Sequence, residues 1–279
     1  MGRKRLTITL RDDMLKRVDG MVDNIRIRNR SHAIEILLSR ALSSRNIKYA
    51  VVLAGGRGTR MRPFTYEMPK PMIPVQGRPL IQHIVELLRK HEVSEIIFSV
   101  GYMGDKIKEY FGNGSRFGVN ITYVEEDKEL GTAGPLALMK DKLSETFLMF
   151  NGDILADIDL KDFVSFHEEK KGIATIALTA VSDPSRFGVA RLRGDNILEF
   201  REKPPAGKEA SNLINAGVYV LEPEVLKYIP KGKAMMERDV FPKLAKKGKL
   251  IGYHFDGQWF DTGTPESYEV AIKRWRGVM

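Results

Sequence analysis

A chain of 279 residues, 43% hydrophobic and 29% charged, has room for one large core, or for one core and a small module. No apolar run approaches the length of a membrane span, and the absence of cysteine excludes disulfides, thiol nucleophiles and zinc–thiolate sites, so a cytoplasmic globular protein is expected, with no membrane partner. The net charge of +9 is unevenly placed: residues 1–48 carry 12 Lys and Arg against 5 Asp and Glu, which leaves +2 for the remainder.

Arg5-Leu6-Thr7-Ile8-Thr9-Leu10 alternates with period two and predicts a strand, with Leu6, Ile8 and Leu10 on its buried face and Arg5, Thr7 and Thr9 outward. Asp12 and Asp13 favour a helix start, and Met14, Leu15, Val18, Met21 and Val22 follow at helical spacing. Ser31 is the expected N-cap of a second helix, striped by Ala33, Ile34, Leu37, Leu38, Ala41 and Leu42. A lone strand leaves its backbone unpaired, and about 45 residues bury too little surface to stand alone. A second copy would supply the missing strand, so a homodimer through residues 1–46 is expected. The order strand, helix, helix resembles a ribbon-helix-helix domain. That resemblance implies a β-ribbon in the DNA major groove, with Arg5, Thr7 and Thr9 facing bases and the start of the Ser31 helix, beside Arg28 and Arg30, near a phosphate. DNA is therefore a candidate partner; a purely architectural dimer clip is the alternative. The linker, Ser43 to Lys48, is short.

From Tyr49 onward, apolar strand candidates alternate with amphipathic helices, the pattern of an α/β domain with a mixed, mainly parallel sheet. Tyr49 to Leu53 reads as a buried strand, Ile81 to Leu88 as a helix, Glu95 to Val100 as a strand, Lys106 to Phe111 as a helix, and Ile121 to Val124 and Thr146 to Phe150 as strands. The texture then becomes richer in strands, at Ile173 to Val181, Val189 to Leu192 and Leu213 to Leu221, before helices from Glu237 and Pro265.

Directly after the first strand stand Gly55, Gly56 and Gly58, where a backbone free of Cβ atoms can bring its N–H groups close to phosphate. Arg57, Arg60, Arg62 and Lys70 add positive charge suited to a polyphosphate. The dinucleotide spacing and the P-loop ending are both absent.

The run Gly58-Thr59-Arg60, Pro63-Phe64-Thr65, Pro69-Lys70-Pro71-Met72 and Pro74-Val75 resembles the signature of the sugar-1-phosphate nucleotidylyltransferases. The resemblance continues through Leu130 to Leu136, Asn151-Gly152-Asp153, Phe187-Gly188-Val189, Glu202-Lys203-Pro204, Asn215 to Tyr219 and Trp259 to Pro265, in family order across residues 49–275. It implies a Rossmann-like nucleotidyltransferase domain that joins a nucleoside triphosphate to a sugar-1-phosphate and releases pyrophosphate. By the same resemblance Arg60, Lys70 and Asp153 are catalytic, and Leu53, Gly55, Gly56, Gly58, Thr59, Glu126 and Gly131 bind the nucleotide. Gly188, Glu202, Lys203 and Asn215 bind the sugar phosphate, and Asp153 and Asp261 hold Mg²⁺. Too few residues follow Trp275 for the left-handed β-helix of some relatives.

Relatives using pyrimidine nucleotides carry Gln where this chain has Glu126, and an acceptor-only carboxylate complements the two donor groups on the guanine edge. GTP with mannose-1-phosphate is the favoured pair, from the Leu130 to Leu138 and Glu237 to Pro242 blocks as well. A glucose-1-phosphate uridylyl- or thymidylyltransferase is the alternative enzyme, and a non-catalytic nucleotide-sugar sensor that drives a DNA-binding module is the alternative from another class.

Overall fold

The computed structural model describes residues 7–23, 27–42 and 47–278, and the chain divides into two compact units, 1–45 and 46–279.

In the first unit, α1 (Asp12–Asp19) ends at Gly20, so Met21 and Val22 lie past the helix expected to contain them. The second helix, α2 (Arg30–Leu42), is capped by Asn29 and not by Ser31: the Asn29 side-chain oxygen accepts the His32 N–H at 2.9 Å, and Ser31 is already inside the first turn. Arg30 clamps Asp19 with two hydrogen bonds of 2.7 and 2.8 Å, and Val18 and Ala33 are buried. Ile8, Met14, Leu37 and Leu38 are exposed. Thr7 to Leu10 carries no strand in this single chain, and Arg5 and Leu6 lie outside the described residues.

The second unit runs β1 (Tyr49–Ala54), a short ladder of β2 (Pro74–Val75) and β3 (Arg78–Pro79), α3 (Leu80–Lys90), β4 (Glu95–Val100), α4 (Gly104–Phe111) and β5 (Asn120–Glu125). It continues with α5 (Gly134–Leu138), β6 (Phe147–Asn151), β7 (Ile154–Ala156), α6 (Leu160–Lys170), β8 (Ala174–Ala180), β9 (Gly188–Arg193), β10 (Asn196–Glu202) and β11 (Leu213–Leu221). It ends with α7 (Phe241–Lys246), β12 (Leu250–His254), β13 (Trp259–Asp261) and α8 (Pro265–Arg274). One nine-stranded mixed sheet has the order β5-β4-β1-β6-β11-β8-β12-β10-β9. Pairing is parallel along β5-β4-β1-β6 and between β8 and β12, and antiparallel elsewhere, so the sheet is mixed and its continuous parallel run is confined to its first four strands.

Both faces of the sheet are covered, which is why β1 is apolar throughout. Ala50 and Val52 pack with Ile81, Ile84 and Leu88 of α3 and Phe163 of α6, while Val51 packs on the other face with Tyr219, Phe241 and Leu244. Asp159 caps α6 by accepting the Asp162 N–H at 3.0 Å, and Thr264 with Ser267 forms a capping box on α8. The helix expected from Glu237 is displaced. Met236–Val240 forms one wide π-type turn, and α7 begins at Phe241, with Pro242, which has no N–H to donate, in its first turn.

Candidate active site

The parallel strands β1, β4 and β6 deliver their carboxyl ends to one edge, where open α/β sheets present ligand crevices. The loop after β1 is held from beneath. Gly58 has φ of +60°, and a Cβ there would stand 2.9 Å from both Lys70 Cβ and Thr65 Cγ2. The buried Thr65 donates from Oγ1 to the Gly58 carbonyl at 3.0 Å, and the Tyr102 hydroxyl donates to the Thr65 carbonyl at 2.9 Å.

Lys70 lies nearly buried under this loop and meets Asp153 Oδ2 at 2.5 Å. Burial works to raise the Asp153 carboxyl, but the Lys70 ammonium beside it, with Arg60 further off, outweighs burial and holds it below the ordinary carboxylate value. The Asp153 carbonyl accepts both the Thr262 N–H at 3.2 Å and the Thr262 hydroxyl at 2.7 Å, which fastens the end of β13 beside it. Asp261 is thereby brought close: burial and the Asp153 charge push it upward, against Lys70.

Two adjoining cavities open here. The larger, about 310 Å³, is lined by Leu53 at the end of β1, by Gly55, Gly56, Gly58 and Thr59 of the loop, by Arg60, Lys70 and Asp153, and by Glu126 and Gly131. The smaller, about 140 Å³, is lined by Gly188, Glu202, Lys203, Asn215 and Asp261. Arg60, Asn151 and Asp153 line both. The residues named from sequence for a nucleotide and for a sugar phosphate thus fall into two neighbouring groups with a common wall.

Glu126 accepts the Ser99 hydroxyl at 2.8 Å and the Leu130 N–H at 3.1 Å, and burial raises its pKa. Glu125 points away and pairs with Lys108 at 2.6 Å. The Asn215 amide is engaged within its own strand, accepting the Gly217 N–H and donating to the Tyr219 hydroxyl, each at 2.9 Å. Sequence reasoning did not single out Asn151, Thr132, Arg186, Trp259 or Glu237, which also line the cavities. Asn151, Thr132, Trp259 and Glu237 stand inside blocks that carry the family resemblance and Arg186 adjoins one, but none of them was assigned a contact, and Glu237 in particular, an acid near an expected helix start, reads by itself as solvated. None of the five histidines lines either cavity. In the first unit, Thr7 and Thr9 are exposed.

Among the described residues no three His, Cys, Asp or Glu side chains cluster as a metal cage. Two mutually repelling carboxylates, Asp153 and Asp261, on the wall of a polar cavity fit a hard divalent cation whose other ligands come from phosphate and water.

The family model described as nucleotidyl transferase matches residues 49–276. A UTP–glucose-1-phosphate uridylyltransferase of Synechocystis sp. is 40% identical over 248 residues, covering 82% of this chain and 63% of its own length. The mannose-1-phosphate guanyltransferase beta-B of Xenopus laevis is 38% identical over 229 residues, covering 80% of this chain and 63% of its own length. The chain therefore spans under two thirds of these relatives. Among solved structures, a UDP-glucose pyrophosphorylase complexed with UDP-glucose superposes with a TM-score of 0.73 at 25% identity, covering 82% of this chain and 98% of that one.

Proposed function

Because this chain belongs to the nucleotidyl transferase family, we propose that its second unit is a sugar-1-phosphate nucleotidylyltransferase. An oxygen of the sugar phosphate attacks the α-phosphorus of a nucleoside triphosphate, the bond from that phosphorus to the bridging β-phosphate oxygen breaks, and pyrophosphate leaves with the electron pair. The observation that carries this reading is the common wall: Arg60 and Asp153 face both cavities, at the boundary where the two phosphates would meet.

Two anions must approach, so the protein's work is alignment and charge neutralisation. The glycine loop cradles the triphosphate, Arg60 and Lys70 take up charge as it develops, and Glu202 and Lys203 hold the sugar phosphate. Asp153 and Asp261 would hold Mg²⁺, which when bound neutralises phosphate charge. Lys70 is paired with Asp153 here, so its ammonium is already positioned at the cavity floor.

For the base, each Glu126 oxygen accepts one protein donor and keeps a lone pair for a guanine N–H. GTP with mannose-1-phosphate is accordingly the favoured pair. UTP with glucose-1-phosphate is the second reading, favoured by the Synechocystis relative. Pyrophosphate release measured across nucleotide and sugar-1-phosphate pairs decides between them, with Asp153→Asn as the inactive control. No turnover with any pair would replace both readings with a nucleotide-sugar sensor.

For the first unit we propose dimerisation through a second copy and DNA binding. The exposed Ile8, Met14, Leu37 and Leu38 support the former, and the basic charge with exposed Thr7 and Thr9 supports the latter. Binding to promoter DNA from its own gene region should weaken steeply with salt; a flat titration at low salt removes the DNA role.

A further inference from the structure

We propose that Glu237 recognises the sugar, its carboxylate accepting ring hydroxyls in the smaller cavity while Thr132 holds it in place; this rests on the nucleotidyl-transfer reading above. Glu237 is only 6% exposed, yet it lines that cavity. The side-chain donor it meets is the Thr132 hydroxyl, at 2.5 Å on Oε2. No lysine or arginine among the described residues pairs with it. A carboxylate buried with so little compensation is costly, and the polar ligand that it faces is the natural source of further donors.

The chemistry of the wall selects that ligand. Glu202 faces the same space from the end of β10, with Glu237 opposite on the Met236–Val240 turn. Carboxylates only accept, so together they suit a ring with several hydroxyl donors. Arg60, Arg186 and Lys203 line the same cavity and suit the phosphate end. Burial raises the Glu237 pKa, with the Glu202 charge adding to it and the Thr132 hydroxyl, the residue's own N–H and the Lys203 charge opposing.

Thr132 is a positioning residue. Its Oγ1 accepts the Met236 N–H at 2.8 Å while donating to Glu237. Around it the chains are stitched together: Ala133 N–H donates to the Ala234 carbonyl and Ala234 N–H to the Leu130 carbonyl, each at 2.9 Å. Gly131, at φ +80°, lies so close that a Cβ would stand 2.4 Å from the Ala234 oxygen. The segment lining the larger cavity and the turn carrying Glu237 are thereby joined by backbone hydrogen bonds and close packing.

The test uses the full chain with GTP plus mannose 1-phosphate and UTP plus glucose 1-phosphate, read by pyrophosphate release. Glu237→Gln keeps the volume and should raise KM for the sugar phosphate about tenfold or more, with KM for the nucleotide within about twofold. It should also lose the parent's preference over one singly deoxygenated sugar phosphate, which identifies the hydroxyl contacted. Thr132→Val should raise the sugar KM about fivefold, and Thr132→Ser should restore it. GTP affinity of each variant reports that the crevice is intact. An unchanged sugar KM in an active Glu237→Gln enzyme, or equal losses for nucleotide and sugar, overturns this inference alone. Absence of turnover by the unmodified chain with both pairs overturns the parent reading as well.

Discussion

Replacing Gly58 with alanine should destabilise the second unit far more than the same change at Gly77 or Gly56. Gly58 and Gly77 both have positive φ, +60° and +77°, but a Cβ on Gly77 or Gly56 meets nothing within 4 Å, whereas on Gly58 it meets Lys70 Cβ and Thr65 Cγ2 at 2.9 Å. Alanine gains about 0.4–1 kcal/mol by restricting the unfolded chain, and pays about 1–2 kcal/mol where φ is left-handed. The crowding at Gly58 involves atoms near the backbone that cannot swing aside, and adds about 1–3 kcal/mol. The three variants should therefore rank as neutral or slightly stabilising at Gly56, about 0.5–1 kcal/mol destabilising at Gly77, and about 2–4 kcal/mol at Gly58. Urea unfolding followed by the fluorescence of Trp259 and Trp275, both in the second unit, would show the last as a midpoint shift of roughly 1 M. Turnover should fall with it, because relieving the contact displaces Lys70. A Gly58→Ala loss within about 0.5 kcal/mol of the Gly77→Ala loss would refute the packing argument.

Lys70→Met should destabilise by about 2–3 kcal/mol, below the range for fully buried pairs because the Asp153 side chain keeps 33% exposure. Adding Asp153→Asn should recover most of the loss, and strictly additive losses in that double-mutant cycle would show that the two side chains are not coupled. Glu237 has a folded pKa raised above its ordinary 4.5, so its contribution to stability is present below that value and fades as pH rises through the folded value. Glu237→Gln removes this slope and should gain stability over the parent between pH 4.5 and neutrality; parallel urea-midpoint profiles would contradict the assignment.

The glycine loop was legible because an unbroken apolar run, Tyr49 to Leu53, must be a strand buried on both faces, and β4 likewise falls at Glu95–Val100 as its pattern requires. The neighbourhood of Asp153 and Asp261 followed from family blocks, and the antiparallel pairing of β13 with β7 is what brings them together. β10 escaped because a bulge between Ile197 and Glu199 breaks its period of two. At α2, Asn29 and Ser31 are both capping types two residues apart, and only the placement of the side chain distinguishes them. Glu237 opens one of the family blocks, but its burial was hidden for a different reason: its partner, Thr132, is 105 residues away, and no local pattern announces a carboxylate buried by so distant a contact.

The wall that Arg60, Asn151 and Asp153 lend to both cavities has a pharmacological consequence. A nucleoside and a polyol joined through an anionic bridge could reach both compartments along that shared wall. Tethering makes the second docking event intramolecular, at an effective concentration in the millimolar range for a short linker. On the proposed nucleotidyl-transfer reading, inhibitors would be built as fused ligands whose bridge lies against Arg60 and Lys70, with selectivity tuned separately at Glu126 and at Glu237.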